Sequence, residues 1–419
     1  MGKADTSLLG RLRRDRAGNV LIMAAAGMPL LIGAAGLAVD TVHWTYWKRQ
    51  LQREADSAAL AGAFAKAQGS DAIAAATNDI TRTTDVTLSA PATIQNAPTS
   101  GAYAGNAQAV RVSLSTRQRL PFSGSFLSAV PTITVQATAA VVSNGSYCAL
   151  ALGTGSNGVI TMQGNASLNF GCGVATNSKV SPAVSAGGSS NVVASPIAAV
   201  GGLPASSHYA SGTQLLPYSL PQADPFASLP TPVVPGGCAN KLTVNPSQTA
   251  TLDASSQACY KGLNIKGTVT MLPGVYYIDG DSFSVQGTVT GTNVTIILTS
   301  SSAASNPSSI ATLDMNGSGT IQLTAQTSGT YKGVLFYQDR RALNSGTNTI
   351  NGNASSQFQG AFYFPSQELS FSGTSGMTTN CMQLVALGLT FTGNTTVNNS
   401  CPVGSGAGSF VGVQVRLVE

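Results

Sequence analysis

The residues of this chain whose types and spacing could do chemistry are few: six cysteines, two histidines and, in the C-terminal half, one close pair of carboxylates. The cysteines are Cys148, Cys172, Cys238, Cys259, Cys381 and Cys401, and as sequential pairs they lie 24, 21 and 20 residues apart. In a chain that coils with that period, residues one turn apart sit on stacked strands about 4.8 Å from each other. That is close to the Cα separation a disulfide accepts. Of the fifteen possible pairings, only the sequential one meets the spacing throughout, and it requires an oxidising compartment. Zinc is not expected, because no two cysteines are separated by two residues. Asp279 and Asp281 would share a face on a strand. Glycosidic chemistry needs two carboxylates about 5–9 Å apart, and a lyase would add calcium and a basic residue such as Arg340. Against this, Gly280 between the two acids marks a turn. His43 stands beside an apolar run and His208 in a Ser-rich stretch. No H-E-x-x-H, G-x-S-x-G or G-x-x-x-x-G-K-[ST] motif is present. The expectation is no catalytic residue, no metal and no cofactor, with Asp339-Arg340-Arg341 a corner closed by a local ion pair.

Those candidates must be held by something, and the composition restricts what. Charged residues are 9% of the 419 and aromatics 6%, while glycines number 46. Low charge argues against charge-driven disorder, and scarce aromatics argue against a bulky globular core, which leaves extended structure made of small and β-branched residues. A short pattern recurs: two alternating apolar positions, a polar residue, then glycine. It stands as ITMQG ending at Gly164, LNIKG at Gly267, FSVQG at Gly287, LDMNG at Gly317, LSFSG at Gly373 and LTFTG at Gly393, with looser copies near Gly187 and Gly352. Neighbouring copies are 20 to 23 residues apart wherever no insertion intervenes. A fixed period of that length is what a right-handed parallel β-solenoid needs, each coil burying its apolar side chains only when stacked on the next. The alternative is an antiparallel β-sandwich with evenly spaced turns. Glycine is expected at the corners for positive φ. Tyr276, Tyr277, Phe336, Tyr337, Phe362, Tyr363 and Phe364 form three aromatic clusters, suited to packing under a neighbouring segment or to touching a glycan or protein. Residues 196–246 hold nine of the 19 prolines and read as a loop or wrapping insertion.

The N-terminus is of another kind. Residues 1–16 carry Lys3, Arg11, Arg13, Arg14 and Arg16 against Asp5 and Asp15, and the other residues show no basic stripe. Nucleic-acid binding, which wants a clustered basic footprint, is therefore not expected. Val20 to Val39 is free of charge, and at 1.5 Å per residue it spans about 30 Å, the thickness of a bilayer core. Basic residues before it favour a cytoplasmic N-terminus. Trp44, Tyr46 and Trp47 follow where an outer aromatic belt belongs, and Pro29 is tolerable in such a helix. A retained anchor competes with a cleavable signal peptide cut near Gly36-Leu37-Ala38, and with a pilin-type leader cut after Gly18. Beyond it, Trp44, Trp47, Leu51 and Ala55 fall on one face of a continuing helix that ends near Gly69. That helix is either an exposed stalk or one that packs laterally on a partner. Residues 109–115 and 133–142 alternate as half-buried strands of a small α+β module.

The N-terminal residues also carry a resemblance. Arg16-Ala17-Gly18-Asn19, Pro29, Gly36-Leu37-Ala38-Val39-Asp40 and Leu51-Gln52-x-x-Ala55-Asp56-x-Ala58-Ala59-Leu60-Ala61-Gly62-Ala63 are similar to the signature of the TadE/TadG-like proteins, associated with assembly of tight-adherence (Flp-type) pili in bacterial envelopes. Asp40 and Asp56 are its distinctive polar positions. Some TadG-like proteins carry a von Willebrand A domain with a D-x-S-x-S metal site. Here the nearest run, Asp253-Ala254-Ser255-Ser256-Gln257, departs from it at the fifth position. The C-terminal part, through KGVLFYQDR (332–340), GAFYFPSQELSFSG (360–373), PGVYYIDG (273–280) and CMQLVALGLTFTG (381–393), resembles β-helical extensions on such anchors. The resemblance implies an inner-membrane protein whose C-terminal part is periplasmic or at the cell surface, with pilus-assembly or envelope proteins as partners. A carbohydrate-active solenoid and a processed pilin-like subunit are the alternatives. The expected order is a cytoplasmic segment (1–19), transmembrane helix (20–39), helical stalk (40–69), pseudopilin-like module (70–143) and solenoid (144–419).

Overall fold

The computed structural model describes residues 18–419, apart from 84, 354, 374–376, 395 and 400–407. The chain divides into two compact units, one made of residues 1–142 with 415–419 and the other of residues 143–414.

In the first unit a 50-residue helix, α1 (Gly18–Ala67), runs uninterrupted through Pro29. Its 22–39 half is apolar with none of it buried, and its second half is the centre of a small core. Leu51, Ala55, Ala58, Ala59 and Ala63 are fully buried there. The alanines are small because two layers approach the helix closely. One is α2 (Ala72–Thr83), started by Asp71, whose carboxylate accepts the amides of Ile73 and Ala74, and buried through Ala72, Ala76 and Ile80. The other is an antiparallel sheet of β1 (Thr93–Asn96), β2 (Ala109–Arg117) and β3 (Thr132–Ala151). β2 pairs with β3 from Ala109↔Ala140 to Arg117↔Thr132 and with β1 from Thr93↔Ser113 to Asn96↔Val110. From Leu51 onward this stretch is thus not a bare stalk. It packs on its own module, with Val112, Leu114, Ile133 and Val135 in the same cluster. The last residues return to this unit: Thr138 exchanges backbone hydrogen bonds with Val418 and Glu419, and the Glu419 carboxylate pairs with the nearly buried Arg111.

The second unit is a parallel β-solenoid of three faces. On the first face nine strands stack in the order Leu242–Val244, Leu263–Ile265, Ser282–Val285, Thr312–Met315, Thr347–Gly352, Glu368–Gly373, Leu389–Gly393, Ile160–Met162 and Val184–Ala186. Every pairing in this stack is parallel, which rules out the antiparallel sandwich. All eight copies of the glycine pattern end strands of this one face, and the ninth strand, in KLTVNPS, lacks the glycine. The glycines do two different jobs. Gly164 and Gly393 have positive φ (76° and 71°). Gly287 does not: a Cβ there would stand 2.0 Å from the carbonyl oxygen of Gly267 on the coil below. Close stacking, not backbone conformation, excludes a side chain at that corner.

The stacking order is not the chain order. Coils built from residues 147–216 lie on the coil that ends the chain's solenoid, through Leu389↔Ile160, Thr396↔Ser167 and Leu384↔Ala149. The chain then crosses to the opposite end of the stack, restarts near Ala239 and coils back to that joint. An interior row of aromatics runs through it: Phe336, Phe362, Phe371, Phe391 and Phe170 follow one another, with Phe371 and Phe391 stacked at 5.1 Å. The crossing segment, residues 217–238, is narrower than the proline-rich stretch suggests, because Ile197–Ala199, Leu215–Leu216 and Leu242–Val244 are solenoid strands.

Candidate functional site

A polar junction of the first unit lies at the end of the apolar half of α1. Asp40 is 5% exposed. Its carboxylate accepts the amide of Phe122 at 2.8 Å and that of Ser123 at 2.6 Å. These amides open the short 3-10 turn Ser123–Ser125, whose Gly124 carbonyl accepts Arg119 Nε at 2.9 Å and Nη2 at 2.6 Å. Burial pushes the Asp40 carboxyl up, but hydrogen bonds from Ser123 and the Phe122 amide outweigh it, His43 adds to them, and the group is held below its ordinary value. One turn earlier, Phe122 covers Gly36 so closely that a Cβ there would fall 2.2 Å from the ring. About three turns beyond Asp40, Gln52 Nε2 donates to Asp56 Oδ1 at 2.8 Å and to the Gln136 carbonyl of β3 at 2.9 Å. Asp40 and Gln52 thus act as latches: each ties the helix to backbone groups of the module, while Asp56 holds Gln52 in place and Gly36 leaves room for the Phe122 ring.

Residues 18–68 match the family described as putative Flp pilus-assembly TadE/G-like. This segment is similar to the TadE/G-like domain. No curated protein and no solved structure gives a significant match. The domain coincides with α1 almost residue for residue. Gly18 begins the helix and Pro29 lies inside it. Leu51 and Ala55 are in the core, while Asp40, Gln52 and Asp56 are the latch residues. Trp44 and Trp47 are half-buried against the module's core, with the Trp47 ring 5.5 Å from that of His43, and Tyr46 is the aromatic left 58% exposed. The partners of the latch, Phe122, Ser123 and Gln136, were not singled out from sequence. The only available signal is the uncharged run LPFSGSFLSAVP at 120–131.

In the solenoid the two carboxylates go to separate partners. Asp279 ends the strand Gly274–Asp279 and accepts the Ser301 amide at 2.5 Å, whereas Asp281 pairs with Lys241 at 2.6 Å across exposed surface. Asp339 is fully buried, bonded to Thr299 Oγ1 at 2.7 Å and to Arg341 Nη2 at 2.6 Å. Burial alone would raise its pKa; Arg341 and Thr299 reverse the sign and leave it lowered. Arg340 instead clamps the crossing segment. It donates to the carbonyls of Leu229 (2.7 Å) and Phe226 and to the Tyr363 hydroxyl (2.7 Å), and lies over the Tyr337 and Tyr363 rings at 5.5 and 5.2 Å. Tyr363 donates to Asp224 at 2.6 Å and Tyr337 to the Pro230 carbonyl at 3.1 Å. Two of the aromatic clusters therefore pack under the strap. Asp253 accepts Ser255 and takes no part in a metal cluster among the described residues. The bonds Cys148–Cys172 and Cys238–Cys259 join neighbouring coils at Cα separations of 5.9 and 4.5 Å. Cys381 is disulfide-bonded, and Cys401 lies outside the described residues.

Proposed function

We propose that this chain is a structural component of tight-adherence pilus assembly or surface attachment, held in the bacterial inner membrane by residues 20–39. Its N-terminus lies in the cytoplasm, and its disulfide-bonded solenoid lies in the periplasm or at the cell surface. It works by anchoring and by contact with other pilus-assembly or envelope proteins, without catalysis. The observation that carries the reading is that the helix matching the pilus-assembly family leaves its apolar half bare: the window has a mean hydropathy of 2.0 and none of it is buried. A soluble protein of this size rarely exposes so long an apolar surface. The basic residues before the span support the orientation, and three exported cysteine pairs suit an oxidising compartment. The test is topology followed by phenotype. Protease added to spheroplasts should remove the solenoid and spare an epitope placed at the N-terminus, and the chain should resist alkaline carbonate extraction. Cells lacking the chain should lose surface pili or adherence, restored by the full chain and not by residues 1–142 alone. A chain released by carbonate, or a deletion strain with normal pili and adherence, would refute the proposal.

A further inference from the structure

The segment 120–131 has no assigned part in the family signature, yet it is docked on the apolar half of α1. Phe122 sits on Gly36, which lies about 6 Å from Asp40 toward the bare run at 1.5 Å per residue. Beyond Phe122 the segment turns outward an apolar tip: Phe126 is 76% exposed, Leu127 55% and Val130 39%. Phe126 is braced edge-on against Phe122 at 5.3 Å. No residue from 120 to 131 is charged, and Arg117 and Arg119 stand immediately before it. The neighbouring helix surface is equally bare, with Ile32 58%, Leu37 59%, Val39 47% and Val42 67% exposed. An apolar tip on an uncharged segment, fixed alongside the last turns of a bilayer-length helix, has one solvent that suits both surfaces at that depth.

We infer that residues 120–131 form a second membrane contact, a wedge whose Phe126, Leu127 and Val130 enter the lipid beside α1 while Arg117 and Arg119 meet the headgroups. Large aromatic and aliphatic residues with basic neighbours are the composition of interfacial insertion. The latch at Asp40 gives the wedge its depth, because its carboxylate and the amides of Phe122 and Ser123 satisfy one another at the boundary and need no water. The module is then held to the bilayer at two points, which restrains its tilt as a single helix cannot.

This rests on the membrane-anchor reading, and one experiment separates the two. Phe126→Cys, Leu127→Cys, Leu31→Cys and Tyr218→Cys are each labelled with an environment-sensitive fluorophore in the full chain. The chains are reconstituted in vesicles of phosphatidylethanolamine and phosphatidylglycerol doped with acyl-brominated phosphatidylcholine. Leu31 is a span residue, and Tyr218 is 79% exposed in the solenoid. The wedge predicts that bromolipid quenches the probes at 31, 126 and 127 and leaves the one at 218 to aqueous iodide. Quenching at 31 with iodide access at 126 and 127 would overturn the wedge, leave the anchor, and assign the tip to a protein partner or open water. Iodide access at all four positions would overturn both.

Discussion

Arg340→Ala should loosen the crossing strap without unfolding the solenoid. The substitution removes two charge-assisted hydrogen bonds to the Leu229 and Phe226 carbonyls and the cation contact over Tyr337 and Tyr363. A hydrogen bond to a charged group is worth about 1.5–3 kcal/mol and a partly exposed cation–π contact about 0.5–1 kcal/mol. The groups share partners and one side of the arginine faces water, so the sum is discounted to about 3 kcal/mol. At about 1.4 kcal/mol per tenfold change, the local opening constant of the strap should rise about 100-fold. The readout is native-state hydrogen exchange at the amides of Ala227 and Leu229, bonded to the carbonyls of Asp224 and Phe226. They should exchange about 100-fold faster, while amides of the strand Val294–Thr299 keep their rate. Arg340→Lys retains the charge without the planar fork and should recover only part of the protection. If strap amides in Arg340→Ala exchange within about threefold of the parent, the clamp argument is wrong, and the bonds of Tyr363 to Asp224 and Tyr337 to Pro230 suffice to hold the segment.

Three further outcomes follow from the geometry. Tyr276 is fully buried, donates to the carbonyls of Leu252 and Leu272, and burial pushes its hydroxyl up to about 12. Because the folded value lies above the unfolded one near 10, its contribution is complete below pH 10 and disappears between pH 10 and 12; urea titrations across that window should show Tyr276→Phe losing less stability than the parent. Phe371→Ala removes a fully buried ring stacked on Phe391 at 5.1 Å, and should cost about 3–5 kcal/mol in denaturant titrations; a loss under about 1 kcal/mol would mean that the interior row packs loosely. Gly36→Leu must displace the Phe122 ring, so the amides of Phe122 and Ser123 should lose protection in nanodiscs while those of Ala59 and Ala63 keep theirs. Unchanged exchange at 122 and 123 would contradict the close approach.

The repeat was legible because its cause is local. Residues such as Phe283 and Val285 alternate with polar neighbours over a strand, and the glycine after them marks a corner, so every copy announces itself within five residues. The ninth strand escaped because Asn245-Pro246 turns that corner instead of glycine. The order of the coils was not legible at all. Nothing in ITMQG or LTFTG says that Ile160 stacks on Leu389 rather than on a coil nearer in sequence, since parallel ladders between small apolar strands are interchangeable until the whole stack is assembled. The latch around Asp40 illustrates the same limit. The aspartate is conspicuous at the edge of an apolar run, but its partners are backbone amides, which any sequence possesses. The corner Asp339-Arg340-Arg341 does close with a local ion pair, made by Arg341, but nothing in the sequence signals that Arg340 reaches back to carbonyls more than a hundred residues away.

The joint between the early and late coils also imposes an order of events on assembly. As the chain is synthesised N-terminus first, the coils of residues 160–216 are made while the surface of their first strand is still uncovered. The coil that closes that surface is made last, and the Asn399 side chain that bonds to the Phe170 carbonyl across the joint is separated from it by 229 residues. Until then the growing protein presents raw, apolar strand edges, which are the templates for misassembly between neighbouring molecules. Assembly of this solenoid in the cell therefore finishes at a seam in its interior rather than at a tip, and any truncation of the last coil leaves two incomplete stacks instead of one shorter one.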